Sequence, residues 1–266
     1  MNLLCKTKYP IVLLHGTASR DRERRSCWGR IPKALESHGA KVYFGNQDAW
    51  GTVEENAMTV KKSINAVLDA TGCGKVNIIA LSKGGLEARY MISKLDMEEK
   101  VASLTTVSTP HHGSKTMDFL CKYLKYPMKF AAVFVNGFYL WLGDKKPDFY
   151  HACCQLTTNR CEQFNLEILD SSRVYYQSYV SLMAKSYSDM LIFFPYLVVK
   201  RFDGEGDGIV SVDSAKWGEF KGIITGEGVR GISHCDLRDL RRRDGSGTDI
   251  RGVYVNIVND LKKREF

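Results

Sequence analysis

The stretch Val76-Asn77-Ile78-Ile79-Ala80-Leu81-Ser82-Lys83-Gly84-Gly85 decides the fold, because it changes from an apolar run to a glycine-rich turn at one serine. The run 76–80 predicts a buried strand, and the residues after the glycines have the composition of a helix. Ala80 lies two positions before Ser82, and Gly84 lies two positions after it. Both residues are small enough for a tight turn that larger side chains would block. Such a turn raises the serine hydroxyl above the end of the strand, where a base and a substrate carbonyl can both reach it. We therefore expect Ser82 to be a nucleophile.

Predicted strands and helices alternate over the first 110 residues. The strands are expected at 10–14, 41–44, 76–81 and 101–107, and the helices at 28–37, 53–70 and 86–94. This alternation predicts an α/β protein with a mostly parallel, doubly wound sheet. In such sheets the chemistry lies at the carboxyl ends of the strands, and His15-Gly16, Ser82 and Thr109-Pro110 all follow predicted strands.

The bulk composition predicts one domain that covers residues 1–266. A chain of 266 residues with 44% hydrophobic and 26% charged residues can bury one large core, and it contains no repeat or linker. Its net charge is +8, but acidic residues interrupt the basic run 20–25, and no nucleic-acid motif accompanies either this run or 241–243. We expect solvated loops there and no nucleic-acid partner, with attraction to an anionic lipid surface as the alternative.

The range 114–152 interrupts the alternation of strands and helices. It carries many aromatic and aliphatic residues between Phe119 and Leu142, and its longest uncharged stretch, 130–143, has 14 residues. Because a transmembrane helix needs about 20 apolar residues, we expect no membrane span. We predict that 114–152, called the lid segment below, is a helical cap over the active end of the sheet. The alternative is an ordinary buried pair of helices.

A serine nucleophile needs a histidine base that a carboxylate orients. The turn around the serine resembles the nucleophile elbow of α/β-hydrolases, in which the acid and then the histidine follow the serine along the chain. Of the six histidines, only His234 follows both the serine and an acid that comes after a predicted strand. That strand is expected at 195–202, and Asp207 lies in the turn after it. Asp203 or Asp213 could be the acid instead.

The tetrahedral intermediate of acyl transfer needs two backbone N–H groups that stabilise its oxyanion. Lys83 follows the nucleophile directly and is one candidate, and Thr17 in the loop after the first strand is the other. We expect His15 to brace this loop by hydrogen bonding. His111 and His112 are expected to shape the loop beneath the lid segment.

Eight cysteines show no metal-binding spacing, so we expect reduced thiols. The first residues lack the charged and apolar regions of a signal peptide. The absence of these regions is compatible with a cytoplasmic protein and equally with a secreted protein shown without its leader.

Four motifs occur in a fixed order along the chain: Pro10-Ile11-Val12-Leu13-Leu14-His15-Gly16, Ser82-Lys83-Gly84-Gly85-Leu86-Glu87-Ala88-Arg89-Tyr90, Ser108-Thr109-Pro110-His111-His112-Gly113-Ser114 and Gly206-Asp207-Gly208-Ile209-Val210-Ser211. Together they resemble the bacterial triacylglycerol lipases, namely the pseudomonad-type true lipases and their clostridial relatives. The resemblance implies an α/β-hydrolase fold with a mobile helical lid and the cleavage of fatty-acyl esters at lipid interfaces. It also implies the site residues: Ser82 as nucleophile, Asp207 as acid, His234 as base, and Thr17 and Lys83 as oxyanion donors.

The same resemblance implies one structural calcium near the His234 loop. Asp189 and Asp236 match the family's two aspartate ligands, and hard oxygen donors of this kind suit calcium. The family's further side-chain ligand falls on Leu240, which has no side-chain oxygen, so a backbone oxygen of Leu240 or Asp244 would have to serve. The alternative role for Asp236 is to cap the helix that follows it. No cofactor is expected for catalysis.

The sequence therefore predicts a serine hydrolase of carboxylic esters, foremost a lipase that cleaves triacylglycerols through an acyl-enzyme on Ser82. Its expected partners are a lipid or ester substrate and, transiently, the lipid–water interface. A carboxylesterase or acyltransferase on soluble short-chain esters is the alternative, since it would use the same three residues. A non-catalytic relative of the fold is a third hypothesis, although such relatives typically lose a member of the triad.

Overall fold

The computed structural model describes residues 3–21, 27–226, 229–240 and 249–266. Within these ranges six strands form one sheet in the order β2-β1-β3-β4-β5-β6, and each neighbouring pair is parallel. The strands are β1 (Ile11–Leu14), β2 (Val42–Phe44), β3 (Val76–Leu81), β4 (Val101–Val107), β5 (Tyr175–Ser181) and β6 (Glu219–Ile224). The predicted parallel α/β architecture is confirmed.

Helices cover both faces of this sheet. They are α1 (Ile31–Ser37), α2 (Val53–Thr71), α3 (Gly84–Lys94), α4 (Lys115–Tyr123), α5 (Lys125–Trp141), α6 (Phe149–Cys154), α7 (Thr158–Glu167), α8 (Phe193–Phe202), α9 (Val212–Ala215) and α10 (Ile250–Lys263). Along β1, Ile11 and Leu13 pack in the core cluster with α1 and α10, whereas Val12 and Leu14 pack in the cluster with α2 and α3. A strand that is buried on both faces carries an unbroken apolar run, which is why β1 could be predicted from sequence.

Helix α2 begins and ends where its sequence predicts. The Thr52 hydroxyl accepts a hydrogen bond from the Glu55 N–H at the N-terminus. At the other end Gly72 adopts a left-handed conformation with φ 66°, and its N–H bonds to the Leu68 carbonyl. These caps fix the two ends of α2, which packs in one core cluster with α3, the helix that follows the serine.

The strand predicted at 195–202 is wrong, because these residues lie in helix α8. Pro195 stands in the first turn of α8, where a backbone N–H has no partner within the helix and its loss costs little. Tyr196 and Val199, three residues apart, are buried on one side. A short apolar run does not distinguish a strand from a helix by its periodicity. The sheet strand that precedes Asp207 is instead β5.

The lid segment 114–152 contains α4, α5 and most of α6. Its helices expose many large apolar side chains, with Tyr126 and Trp141 each 79% exposed. Others on this surface are Phe119, Tyr123, Leu124, Phe130, Val133, Phe134, Phe138 and Leu140. No helix in the described part of the chain is both long and apolar enough to cross a bilayer.

Candidate active site

Ser82 lies directly after β3 in a strained backbone conformation. Its φ is 55°, in the left-handed region that costs a non-glycine residue about 1–2 kcal/mol. The neighbouring chain holds it there: the Ser82 N–H donates to the Val107 carbonyl at 3.0 Å, and the Ser82 carbonyl accepts from the Thr109 hydroxyl at 2.7 Å. Strain that the surroundings enforce in this way is common at functional sites.

Two glycines allow the chain to approach the serine closely. A Cβ on Gly84 would lie 2.6 Å from the His15 carbonyl oxygen, so α3 can begin against the end of β1 only because this residue has no side chain. A Cβ on Gly16 would lie 2.7 Å from Ser82 Cβ and 3.2 Å from Ser82 Oγ. The loop after β1 is therefore in contact with the serine side chain, as the predicted oxyanion hole requires.

Two backbone N–H groups beside the serine have no partner in the described part of the chain. They belong to Thr17, in the loop after β1, and to Lys83, at the N-terminus of α3. The first bonds of the turn are made instead by the Gly85 and Leu86 N–H groups, which donate to the Ser82 and Lys83 carbonyls. Unpaired N–H groups at a helix N-terminus attract negative charge. The arrangement can accept an oxyanion.

His15 braces the loop that carries Gly16 and Thr17. Its ring is buried, with Nδ1 2.8 Å from the Gly16 carbonyl and Nε2 3.1 Å from the Gln47 carbonyl. The Gln47 amide in turn donates to the His15 carbonyl at 3.0 Å. These bonds fix the loop against the chain after β2.

Asp207 and His234 are joined by a short hydrogen bond. His234 Nδ1 lies 2.7 Å from Asp207 Oδ2, and the His234 N–H donates to the Asp207 carbonyl at 2.9 Å. The Asp207 side chain is fully buried, and its other oxygen accepts from the N–H groups of Ile209 and Val210 at 3.0 and 2.8 Å. A carboxylate held in this way orients an imidazole.

The two alternative acids are engaged elsewhere. Asp203 accepts a hydrogen bond from the Lys115 N–H at 3.1 Å, and the Asp213 side chain is 83% exposed and pairs with Lys216. Asp207 reaches its position because the Met183 N–H, just past β5, donates to the Gly206 carbonyl at 2.9 Å. The end of β5 therefore positions the acid, which the predicted strand 195–202 would not have done.

A buried polar network behind the elbow was not predicted from sequence. The Lys83 ammonium pairs with Glu87 one helical turn later, and both side chains are at most 2% exposed. Glu87 also accepts from the Asn56 amide at 2.8 Å, which links α3 to α2. The spacing of four residues could have suggested the ion pair. Its burial depends on tertiary packing, which the spacing does not reveal.

His111 is buried beneath the active end of the sheet. Its Nε2 lies 3.0 Å from the Thr106 hydroxyl, and its ring stacks on Trp217 with 5.1 Å between centroids. Burial, together with the charge of Arg89 and the nearby His112, holds the pKa of His111 well below its ordinary value. His111 is therefore a neutral structural residue, which agrees with its expected part in shaping this loop.

Asp189 and Asp236, the expected calcium ligands, meet at the Ser233 hydroxyl. Ser233 Oγ lies 2.7 Å from Asp189 Oδ2 and 2.9 Å from Asp236 Oδ2. An arginine is already present, since Arg230 Nη2 lies 3.5 Å from Asp236 Oδ2 and its Nε donates to the Ser188 carbonyl.

The described residues supply only part of the donor set that the resemblance implies for calcium. Calcium takes six to eight oxygen ligands, but Leu240 offers no side-chain oxygen, and Asp244 lies outside the described residues. The basic residues Arg241–Arg243 and most of the basic run 20–25 also lie outside them. Among the residues described, no three His, Cys, Asp or Glu side chains form a metal-binding group. A guanidinium beside Asp236 competes with a second cation there, and calcium stays a prediction of the resemblance.

The fold and this site define a class of protein. The chain matches the family described as alpha/beta hydrolase fold over residues 9–194. This range is more than half of the 266-residue chain, and the protein therefore belongs to the α/β-hydrolase family.

Two similar proteins of known sequence are named as triacylglycerol lipases. The chain is 29% identical over 261 residues to triacylglycerol lipase 2 of Saccharomyces cerevisiae, an alignment that covers 90% of this chain and 74% of the yeast protein. It is 39% identical over 146 residues to a triacylglycerol lipase of Pseudarthrobacter phenanthrenivorans, which covers 50% of this chain and 44% of the relative. This bacterial match therefore spans less than half of that relative.

Solved structures share the same fold. A Staphylococcus hyicus lipase superimposes with a TM-score of 0.72 at 16% identity, covering 98% of this chain and 97% of the other. The mature form of a Bacillus licheniformis lipase gives a TM-score of 0.71 at 19% identity, with 96% and 92% covered. At these identities the likeness concerns the fold alone.

Proposed function

We propose that this protein is a serine hydrolase of carboxylic esters, and specifically a lipase that cleaves fatty-acyl esters such as triacylglycerols. The observation that carries the proposal is the pairing of Asp207 with His234, together with Ser82 at a strained elbow beside unpaired N–H groups. The yeast and bacterial relatives named as triacylglycerol lipases support the choice of substrate.

In the proposed mechanism His234 is the base. A deprotonated Asp207 can only accept hydrogen bonds, so His234 carries its proton on Nδ1, and Nε2 is left as an acceptor. Nε2 takes the proton of the Ser82 hydroxyl as Ser82 Oγ attacks the ester carbonyl. Asp207 stabilises the imidazolium that forms, and it does so from a fully buried position.

The N–H groups of Thr17 and Lys83 stabilise the oxyanion of the tetrahedral intermediate. As this intermediate collapses, His234 returns the proton to the leaving alcohol, and the acyl group stays on Ser82 Oγ. A water molecule then attacks the acyl-enzyme, with His234 again taking a proton. The fatty acid leaves, and the serine recovers its proton.

The lid segment supports a lipase over an esterase for soluble substrates. Its exposed aromatic and aliphatic side chains recur along α4 and α5 and include the neighbouring ring pairs Phe119–Tyr123 and Phe130–Phe134, and exposed apolar patches mark sites of contact with apolar partners. We propose that this surface contacts the lipid–water interface. Lysines such as Lys122 and Lys129 lie among the apolar residues and suit an anionic interface.

The test measures initial rates on p-nitrophenyl esters from acetyl to palmitoyl for wild type, Ser82→Ala and the surface control Ser37→Ala. A long-chain optimum, lost in Ser82→Ala and kept in Ser37→Ala, is the expected result. A short-chain optimum with no increase above the solubility limit of the substrate would identify a carboxylesterase. Ester hydrolysis that persists in a folded Ser82→Ala variant would refute the proposed nucleophile.

A further inference from the structure

Two thiols from different helices, one in the lid segment and one two residues past its end, are in direct contact. Cys121 lies in the last turns of α4, Cys154 is the last residue of α6, and their sulfur atoms are 3.5 Å apart. Both residues are half-buried, whereas Cys153 and Cys161 nearby are buried. Two sulfurs at this distance on half-buried residues can be joined by small rotations of their side chains.

We propose that Cys121 and Cys154 form a reversible disulfide that ties the end of α4 to α6 and restrains the lid segment. The restraint rests on the proposed function, since it concerns the access of lipid to Ser82. The disulfide itself does not depend on that function.

Cys154 is the sulfur that reacts first. Burial and the neighbouring Cys154 raise the pKa of Cys121 to about 12, so Cys121 keeps its proton, and its sulfur accepts a hydrogen bond from the Cys154 thiol. Desolvation and a hydrogen bond to Cys154 also raise the pKa of Tyr150 to about 12, so the Tyr150 hydroxyl keeps its proton beside this sulfur. The thiolate is the reactive form of a cysteine, and the raised pKa of Cys121 keeps that residue a thiol, so the Cys154 sulfur at the cavity attacks first.

A small oxidant can reach Cys154. This residue lines a surface cavity of about 340 Å³, together with polar side chains that include His151, Gln155, Arg160 and Glu54. Cys153 and Cys161 differ, because burial raises the pKa of each to about 12. Cys154 therefore differs from these buried neighbours in being open to the cavity.

The oxidant we propose is a low-molecular-weight disulfide such as oxidised glutathione. The Cys154 thiolate attacks one of its sulfurs, forms a mixed disulfide and releases one small thiolate. Cys121 then loses its proton to that thiolate, attacks the Cys154 sulfur and releases the second small thiolate, which takes a proton from water to replace the one that Cys154 lost on forming its thiolate. Two electrons pass from the protein sulfurs to the oxidant, and two protein thiols become one disulfide.

The position of the bond explains its effect on the lid segment. Helix α6 is fixed to the body of the protein, since the Asp148 N–H donates to the Trp50 carbonyl and the Gln155 amide oxygen accepts from the Val53 N–H at 2.8 Å. Cys121 lies near the end of α4, just before the exposed helix α5. A disulfide to Cys154 would prevent this end of α4 from moving away from α6. Lipid aggregates, which need the lid segment to move, would be hydrolysed more slowly, and small soluble esters would be affected less.

The experiment treats the full chain with oxidised glutathione, blocks the remaining thiols, and maps the peptides by mass spectrometry. We expect a peptide that links Cys121 to Cys154 and is abolished by dithiothreitol. Persistent glutathione on Cys154 without the link, or no modification at either residue, would overturn the proposal. This readout stands even if the protein hydrolyses no ester.

Activity is measured on the same samples. We expect oxidation to lower the rate on an emulsified long-chain ester by about tenfold, as expected when a lid limits turnover, and to change the rate on p-nitrophenyl acetate much less. Cys121→Ser and Cys154→Ser should be insensitive to oxidation, while Cys73→Ser, a half-buried cysteine outside the lid segment, should respond like wild type. Formation of the link without any change on the emulsion would refute the restraint. Equal inhibition of Cys154→Ser would assign the effect to another thiol.

Discussion

Gly16 lies directly against the Ser82 side chain, so close that a methyl group on Gly16 would be 2.7 Å from Ser82 Cβ and 3.2 Å from Ser82 Oγ. The loop after β1 and the elbow after β3 thus share one small space. An L-residue with any side chain at position 16 must displace either the serine or the loop. The contact makes the placement of Thr17, the next residue, dependent on the absence of a single methyl group.

Gly16→Ala is expected to lower kcat/KM for esters by about 100-fold, because a shift of about 1 Å in a reacting group or an oxyanion donor has effects of this size. The measurement is steady-state kinetics with circular dichroism to verify folding. Gly74→Ala is the matched control, since a Cβ there meets nothing within 4 Å. Unchanged kinetics in Gly16→Ala would show that the loop moves away without consequence for the site.

Asp207→Asn is expected to lower kcat by about 10⁴-fold with little change in KM, because an amide can donate to His234 Nδ1 and so favour the wrong tautomer. Stopped-flow or prolonged steady-state assays can measure a loss of this size. Asp203→Asn and Asp213→Asn, the alternative acids, serve as controls and should keep near wild-type rates. A large loss in Asp213→Asn, whose side chain is 83% exposed, would instead point to that residue.

The sequence predicts the parts of this fold that depend on short-range patterns. Strand β4 is predicted at 101–107 and lies there, in a segment of β-branched Val and Thr residues that favour strands. Helix α8 was not predicted, because its apolar run and Pro195 are compatible with either kind of element. The difference was decided by tertiary packing, in which Tyr196 contributes to a core cluster with Met183 and Ile192.

The candidate site also has features that the sequence predicts and features that only the folded structure reveals. Asp207 and His234 could be inferred from residue type and chain order, because the chemistry of a serine nucleophile restricts both. The contact of Gly16 with Ser82 and the meeting of Asp189 and Asp236 at Ser233 could not, since they depend on how distant loops pack. The order of residues along the chain therefore indicates the catalytic side chains, whereas the contacts around those side chains depend on how the folded loops pack.

Phe130→Ser and Phe134→Ser are expected to weaken binding to lipid emulsions by about tenfold each, because transferring a Phe side chain to an apolar environment contributes about 1.5–3 kcal/mol. These side chains are 70% and 64% exposed, so their replacement should leave folding intact. The measurement compares rates on emulsified long-chain esters with rates on a soluble short-chain ester, which should not change.

Leu169→Ser is the control for this surface, since Leu169 is 69% exposed but lies outside the lid segment. It should retain wild-type rates on both substrates. If Leu169→Ser and Phe130→Ser reduce emulsion activity equally, the lid segment is not the surface that contacts lipid.

Chelation is expected to leave the melting temperature of the protein unchanged, because the described residues do not complete a calcium site and Arg230 lies beside Asp236. Arg230→Gln should destabilise the protein by about 2 kcal/mol, since it removes a charged donor from the buried Ser188 carbonyl and the ion pair with Asp236. The measurement is thermal unfolding with calcium or with EGTA. Arg173→Gln, at an exposed ion pair, is the control and should have little effect.

A rise in the melting temperature of wild type with calcium, reversed by EGTA, would contradict this prediction. It would also establish the metal that the resemblance to bacterial lipases implies. A calcium effect that appears only in Arg230→Gln would instead show that the guanidinium occupies the place of the ion.

His111 is expected to make folding less stable as the pH falls below about 6.5, the ordinary pKa of histidine. In the folded protein burial, Arg89 and His112 hold the pKa of His111 well below that value, so the imidazole stays neutral. The unfolded chain therefore binds a proton that the folded chain does not, and stability is lost at up to about 1.4 kcal/mol per pH unit. Above the ordinary pKa both states are neutral, and His111 contributes no slope.

The measurement is the free energy of urea unfolding at several pH values for wild type and His111→Phe. Phenylalanine does not titrate and can still stack on Trp217, so the variant should show a shallower loss of stability on acidification even if it is less stable at neutral pH. Asp170, which lies 3.4 Å from Arg89, and other carboxylates titrate in both proteins, so the difference between the two curves isolates His111. His112→Gln, an exposed neighbour, should keep the wild-type slope. Parallel curves for wild type and His111→Phe would mean that His111 takes up its proton equally in the folded and unfolded states.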